Sequence, residues 1–253
     1  MDRAKLGLLT TLVLGLFILI GSLIAFLVKK KERVVDFSIG LAFGVIVMLI
    51  LRELLPELIE HLGLKHIYLF IIFTAVGFGI LKWLDNFIPD HDDEHMTPAE
   101  RKVNLVHIGV MTSVALVLHN IIEGMAVYST IITDSHLGVA MLLGIGFHNI
   151  PLGMVIASAF HQSSENISKT ILGLIAVSLS TFVGGLIMFF LDITTINPII
   201  LGILLSITLG MLLFITINEL IPRLKASKNK KTSIVGVVIG LLIVIIASFI
   251  HIH

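Results

Sequence analysis

Eight stretches of roughly 20 or more mostly apolar residues follow one another along this chain, and they constrain its fold more than any other feature. They run from Leu6 to Val28, Phe37 to about Pro56, Ile67 to Ile88, Val103 to Thr133, Leu137 to Phe160, Thr170 to Leu191, Ile193 to Ile221 and Thr232 to Ile250. A hydrocarbon core about 30 Å thick is crossed by about 20 helical residues rising about 1.5 Å each. With no water in lipid to satisfy the backbone, each stretch must form a helix that closes its own hydrogen bonds. The ten-residue alternation of a membrane barrel is absent. Composition agrees: of the 253 residues 57% are apolar and only 13% charged, where a soluble domain carries about a quarter charged. The expectation is an all-α membrane protein of eight transmembrane helices, residues 1–253 forming one polytopic domain. Its longest loop, about 89–102, is too short for a soluble domain. The first stretch lacks a small-residue cleavage site before Lys29-Lys30-Lys31 and reads as a retained span.

Cytoplasmic loops carry the excess of Lys and Arg. Twelve of the seventeen fall in the loops after the first, third, fifth and seventh spans, namely Lys29, Lys30, Lys31, Arg33, Arg101, Lys102, Lys169, Arg223, Lys225, Lys228, Lys230 and Lys231. This places both termini outside, in a cell inner membrane. Basic and acidic residues balance at seventeen each, so no bulk charge points to nucleic acid. Zero cysteine excludes disulfides, thiolate metal sites and cysteine nucleophiles together.

The eleven histidines are the anomaly in so apolar a chain, and two of them open a near-repeat. His119-Asn120-Ile121-Ile122-Glu123-Gly124-Met125 is followed 29 residues later by His148-Asn149-Ile150-Pro151-Leu152-Gly153-Met154, with five of seven positions identical. The fourth and fifth spans run in opposite directions, so the two copies are antiparallel, as a two-fold axis in the membrane plane would place them. Both histidines fall near the bilayer centre. His119 and Glu123, at i and i+4, share one helix face. Ionisable groups at such depth are costly and face a cavity or a partner, and imidazole with carboxylate suits Zn2+ and neighbouring divalent ions. Pro151 removes an amide and crowds the Phe147 carbonyl, so a bend is expected beside His148.

The block resembles the ZIP (Zrt/Irt-like) family of divalent metal transporters, closest to its GufA-type bacterial branch. The family places a metal site between helices four and five, on motifs of the form H-N-x-P-E-G. Phe37 to Gly44 followed by Glu53-Leu54-Leu55-Pro56 looks like family helix two, and Asn218-Glu219-Leu220-Ile221-Pro222 like the end of helix seven. The resemblance implies a bundle of eight helices with inverted pseudo-symmetry and helices four and five central. It implies metal contacts at His119, Asn120 and Glu123 on one helix and at His148 and Asn149 on the other, with Glu219 as an acidic residue at the inner mouth. Three positions depart from the pattern. Leu152 stands where the second motif has glutamate, Ile122 where the first has proline, and Thr181 in a helix-six segment that often carries Glu-Pro. With Glu123 the only acid in the two motifs, one bound ion is expected rather than two.

Asp90-His91-Asp92-Asp93-Glu94-His95 reads either as a catch for departing ions through His91 and His95 or as a solvated acidic loop. Thr97 to Glu100 reads as a capping box. Glu53, Glu57, Glu60 and His61 fall at helical spacing on the outer end of the second span and read either as an acidic mouth that concentrates cations or, with Arg52 beside them, as a plain interfacial ion pair. Gly40 with Gly44 and Gly236 with Gly240 suit close helix packing or a homodimer face.

The leading expectation is a non-enzymatic importer whose partners are a divalent metal substrate and the lipid bilayer, with Zn2+ as the bound ion and Fe2+, Mn2+ or Cd2+ as chemically acceptable alternatives. Two rival readings are a metal-binding relative that does not transport, and a haem protein using the two histidines axially. A zincin protease is excluded, because Asn120 stands where H-E-x-x-H needs its glutamate.

Overall fold

The computed structural model describes residues 2–27, 31–87, 98–133, 135, 142, 145–147, 149–154, 156–157 and 167–251. Among them all regular structure is helical. The elements are α1 (Arg3–Leu27), α2 (Lys31–Leu49), a π turn (Ile50–Leu54), α3 (Leu55–Leu62), a 3-10 turn (Leu64–His66), α4 (Ile67–Asp85) and α5 (Pro98–Thr133). Beyond helical residues 145–147, 149–154 and 156–157 come α6 (Ile167–Phe190), α7 (Pro198–Phe214), a second π turn (Ile215–Leu220), α8 (Ile221–Ala226) and α9 (Lys230–His251).

Six stretches among the described residues are long and apolar enough to cross a membrane: Arg3–Leu27, Asp36–Leu62, Leu64–Asp85, Val110–Thr133, Ile171–Phe190 and Pro198–Ala226. Large apolar side chains cover the exterior, among them Leu23, Ile71, Trp83, Leu172, Phe190 and Ile234. Such a surface matches hydrocarbon, and it leaves helix association to close packing and interhelical hydrogen bonds.

The helices meet through small residues. α1, α5 and α6 pack together, while α2 packs on α9 and α4 on α7. Gly40 and Gly44 lie against the α9 backbone at Ser233 and Val237, and Gly236 and Gly240 against α2 at Phe37 and Leu41. The two glycine stripes read from the sequence thus face each other within one chain. A Cβ at Gly124 would collide with the Thr181 carbonyl, and one at Gly184 with the Ile121 carbonyl, so α5 and α6 approach reciprocally. The same holds for α1 and residues 149–154, with Gly21 against the Ile150 carbonyl and Gly153 against that of Ile18. Ser178 Oγ donates to Gly15 O at 2.7 Å and Ser22 Oγ to Gly153 O at 3.2 Å, adding hydrogen bonds across the same contacts.

The second and seventh spans depart from simple apolar windows. Proline lacks an amide and its ring crowds the carbonyl four residues earlier, here Arg52 for Pro56 and Asn218 for Pro222. Both carbonyls lie in π turns, where the ladder is widened by a residue: Leu55 N–H donates to Ile50 O and Ile221 N–H to Thr216 O. The second span accordingly runs on past Pro56 to Leu62. Gly63, at φ 58°, closes it in a conformation that suits a residue without Cβ.

The seventh span starts later than its apolar window. Residues 193–197 are outside any helix, and Asn197 caps α7 by accepting from Ile199 N at 2.9 Å. The residue before a proline is disfavoured in the α region, so the helix opens at Pro198. α5 is one uninterrupted helix of 36 residues, in keeping with Ile122 in place of proline. It begins at Pro98, a favoured first helical residue; Thr97 of the expected capping box lies outside the described residues.

Candidate metal centre

α5 carries the first copy of the repeated block deep in the bundle, packed against α1, α6, α7 and the second π turn. His119 is 6% exposed, and its Nε2 lies 3.8 Å from Glu123 Oε1. That separation is too long for a hydrogen bond. It is within the reach of two metal–ligand bonds of about 2.0–2.2 Å each, so the i, i+4 pair is spaced to share a cation. The flanking Ile122 is buried in the apolar core, which lowers the local dielectric and strengthens any attraction to the carboxylate.

Asn120 is fully buried on the face turned to α6, where its Nδ2 donates to Val177 O at 3.2 Å. Its Oδ1 has no hydrogen-bond partner among the described residues. Gly124, one turn further, lets α6 approach closely enough for this bond. Asn149, the equivalent residue of the second copy, is also fully buried, and neither of its amide atoms has a partner among the described residues.

Two hydroxyls join this set. Thr181 is fully buried, with an unpartnered Oγ1 among the described residues; it is the residue that departs from the family's helix-six pattern. Thr112 is equally buried and its Oγ1 is also unpartnered among them. Sequence reading passed over Thr112, although seven residues before His119 it lies two turns away on the same face. Leu152, by contrast, is packed in the main apolar core with Ile18, Leu116 and Ile156. An aliphatic side chain fills the place where the second motif has its carboxylate.

His148, His91 and His95 lie outside the described residues. Among the described residues no group of three His, Cys, Asp or Glu comes together. Glu219 is 3% exposed in the second π turn. Its carboxylate is paired with Arg223, a residue that loop charge alone assigns to the loop after the seventh span. Arg223 instead belongs to α8, one turn on, and its Nη1 contacts both the Glu219 carboxylate and the Glu219 carbonyl, the latter at 3.2 Å. The i, i+4 spacing was the available signal.

At the level of class, an apolar-surfaced helical bundle with an imidazole, a carboxylate and amides buried in its interior is a polytopic membrane protein. Residues 85–248 match the family model of the ZIP zinc transporter, and the chain belongs to that family. It is 31% identical over 255 residues to zinc transporter ZupT of Chlorobium luteolum, covering 95% of this chain and 96% of the relative. It is 30% identical over 257 residues to ZupT of Oceanobacillus iheyensis, again covering 95% and 96%. With ZupT of Clostridium perfringens the identity is 27% over 274 residues, covering 98% and 96%.

Proposed function

We propose that this chain carries Zn2+ across the membrane toward the cytoplasm through a midplane site between the fourth and fifth spans. His119 and Glu123 hold the ion from one side, His148 from the other, with Asn120 and Asn149 supplying neutral oxygen. The observation that carries this reading is the buried His119–Glu123 pair, 3.8 Å apart, inside a block that the chain repeats in its next span. Near-full-length relatives named as zinc transporters support the choice of ion.

In this reading the chain has eight spans with both termini outside and an inverted repeat. The reciprocal glycine contacts support the repeat. Gly124 and Ile121 of the first copy meet α6 at Thr181 and Gly184, and the corresponding Gly153 and Ile150 of the second copy meet α1 at Ile18 and Gly21. In each case the partner helix presents a carbonyl and, three residues later, a glycine.

A single metal ion per midplane site follows from Leu152. An ion with charge +2 facing one carboxylate leaves a local charge near +1, and a second ion would be uncompensated. Leu152 also favours a second reading, a relative that binds metal without moving it. Uptake of labelled zinc into vesicles holding the purified chain separates the two. The natural chain is expected to accumulate zinc, and His119→Ala and Glu123→Ala to reduce accumulation to the level of empty vesicles; normal uptake by both variants would sink the proposal.

A further inference from the structure

The inner end of the seventh span holds a carboxylate already occupied by a cation of the chain itself. Glu219 is buried, in a π turn packed against both α2 and α5, and so lies beside the helix that bears His119 and Glu123. A carboxylate taken out of water requires a counter-charge. Arg223 supplies it from one turn away and is tethered twice, at the carboxylate and at the carbonyl of the same residue. Pro222 contributes to this geometry, since the π turn it accompanies begins the short α8 on which Arg223 stands. The matching position at the other mouth carries the opposite charge: Glu53-Leu54-Leu55-Pro56 is followed by Glu57, where Glu219-Leu220-Ile221-Pro222 is followed by Arg223.

We propose that Arg223 is a resident cation that occupies Glu219, so that this mouth retains no metal ion while the guanidinium is in place. A departing divalent ion reaches the carboxylate only by displacing Arg223. The tethered guanidinium returns as soon as the ion leaves, because its effective concentration at Glu219 is set by one helical turn and not by diffusion. The inference rests on the transport reading for its direction, and on the Glu219–Arg223 geometry for its chemistry.

The test is equilibrium binding of Zn2+ to the purified full chain, with thermal unfolding measured with and without Zn2+. In a His119→Ala background, Arg223→Gln is expected to add one bound Zn2+ per chain and to make the unfolding temperature rise with Zn2+. Adding Glu219→Gln to it is expected to abolish both effects, and Arg223→Lys, which keeps a cation, to show neither. Equal Zn2+ counts with and without Arg223→Gln would overturn the proposal. So would an added ion that survives Glu219→Gln. Should Arg223→Gln fold poorly, the neutral pair Arg223→Gln with Glu219→Gln in the otherwise natural chain decides: an unchanged Zn2+ count is expected, and loss of one ion shows that Glu219 holds metal beside Arg223. Failure of the midplane reading has a different signature, His119→Ala binding as much Zn2+ as the natural chain.

Discussion

At the ends of two spans the chain writes nearly the same five residues, Glu53-Leu54-Leu55-Pro56-Glu57 and Glu219-Leu220-Ile221-Pro222-Arg223, and wraps the residues before each proline into a π turn. The two turns sit at opposite ends of the bundle: α3 packs on α7, whereas α8 packs on α2. Their surroundings differ. At the first, Arg52, Glu57 and Glu60 are exposed and Glu53 is half-buried; at the second, Glu219 is buried and closed by Arg223. One backbone device therefore serves two electrostatic purposes, and a single charge reversal one turn past the glutamate separates them. A carboxylate as deeply buried as Glu219 needs a counter-charge close by, and Arg223 one turn on supplies it.

The contrast predicts unequal costs of mutation. Removing the Glu219 carboxylate takes from Arg223 its paired anion, and breaking a buried pair costs about 3–5 kcal/mol. Glu219→Ala is expected near the low end, since a long side chain close to the mouth reaches toward the interface. At the first turn Glu57→Ala, at the position that matches Arg223, is expected within about 0.5 kcal/mol of the natural chain, as exposed positions are. Thermal unfolding of the two variants in the same detergent checks this, and equal losses would erase the distinction.

The next largest effect concerns capture. In the proposed orientation Glu57→Arg copies the charge pattern of the second π turn onto the outer mouth and is expected to slow zinc entry roughly tenfold at low salt, the lower end of what a charged cleft contributes. The deficit should shrink as salt shortens the screening length to about 3 Å at 1 M. Initial uptake rates across a salt series measure it, and a salt-independent deficit would mean that the substitution damaged structure and not steering.

A smaller effect is expected from the prolines. Pro56→Ala and Pro222→Ala restore an amide and relieve the crowded carbonyl, removing the local reason for a π turn. Rewinding by one residue turns the following face by about 100°. At Pro222 this turns the face that carries Glu219 and Arg223 away from its packing on α2 and α5, so uptake should fall several-fold; at Pro56 the exposed Glu57 and Glu60 lose less packing and uptake should change less. Smallest of all, Arg52→Gln is expected to shift stability by less than about 0.5 kcal/mol, because Arg52 is exposed. A large loss there would reveal an ion pair at the outer mouth equivalent to Glu219–Arg223.

Much of the candidate site was legible before any coordinates. The spacing of His119 and Glu123 settles their shared face, and the duplicated His-Asn pair points to two antiparallel copies. The buried Thr112 was not legible, because a threonine in an apolar helix ordinarily satisfies its hydroxyl on a carbonyl of its own helix, as Thr216 does with Leu212 O at 2.7 Å. Only packing shows which hydroxyl is left over. Apolar windows also misplaced the start of the seventh span, since Ile193–Asn197 are apolar or neutral enough to join it while the Asn197-Pro198 step forbids the helix from beginning earlier.

Hydropathy, loop charge and helical periodicity are properties of neighbouring residues, and they by themselves determined that this chain is a helical membrane protein with a repeated polar block in its middle. Which faces meet depends on residues a hundred or more positions apart and on how near two backbones come. The tertiary structure alone decided that the glycine stripes of α2 and α9 face each other within one chain, that Leu152 is core, and that Arg223 folds back onto Glu219.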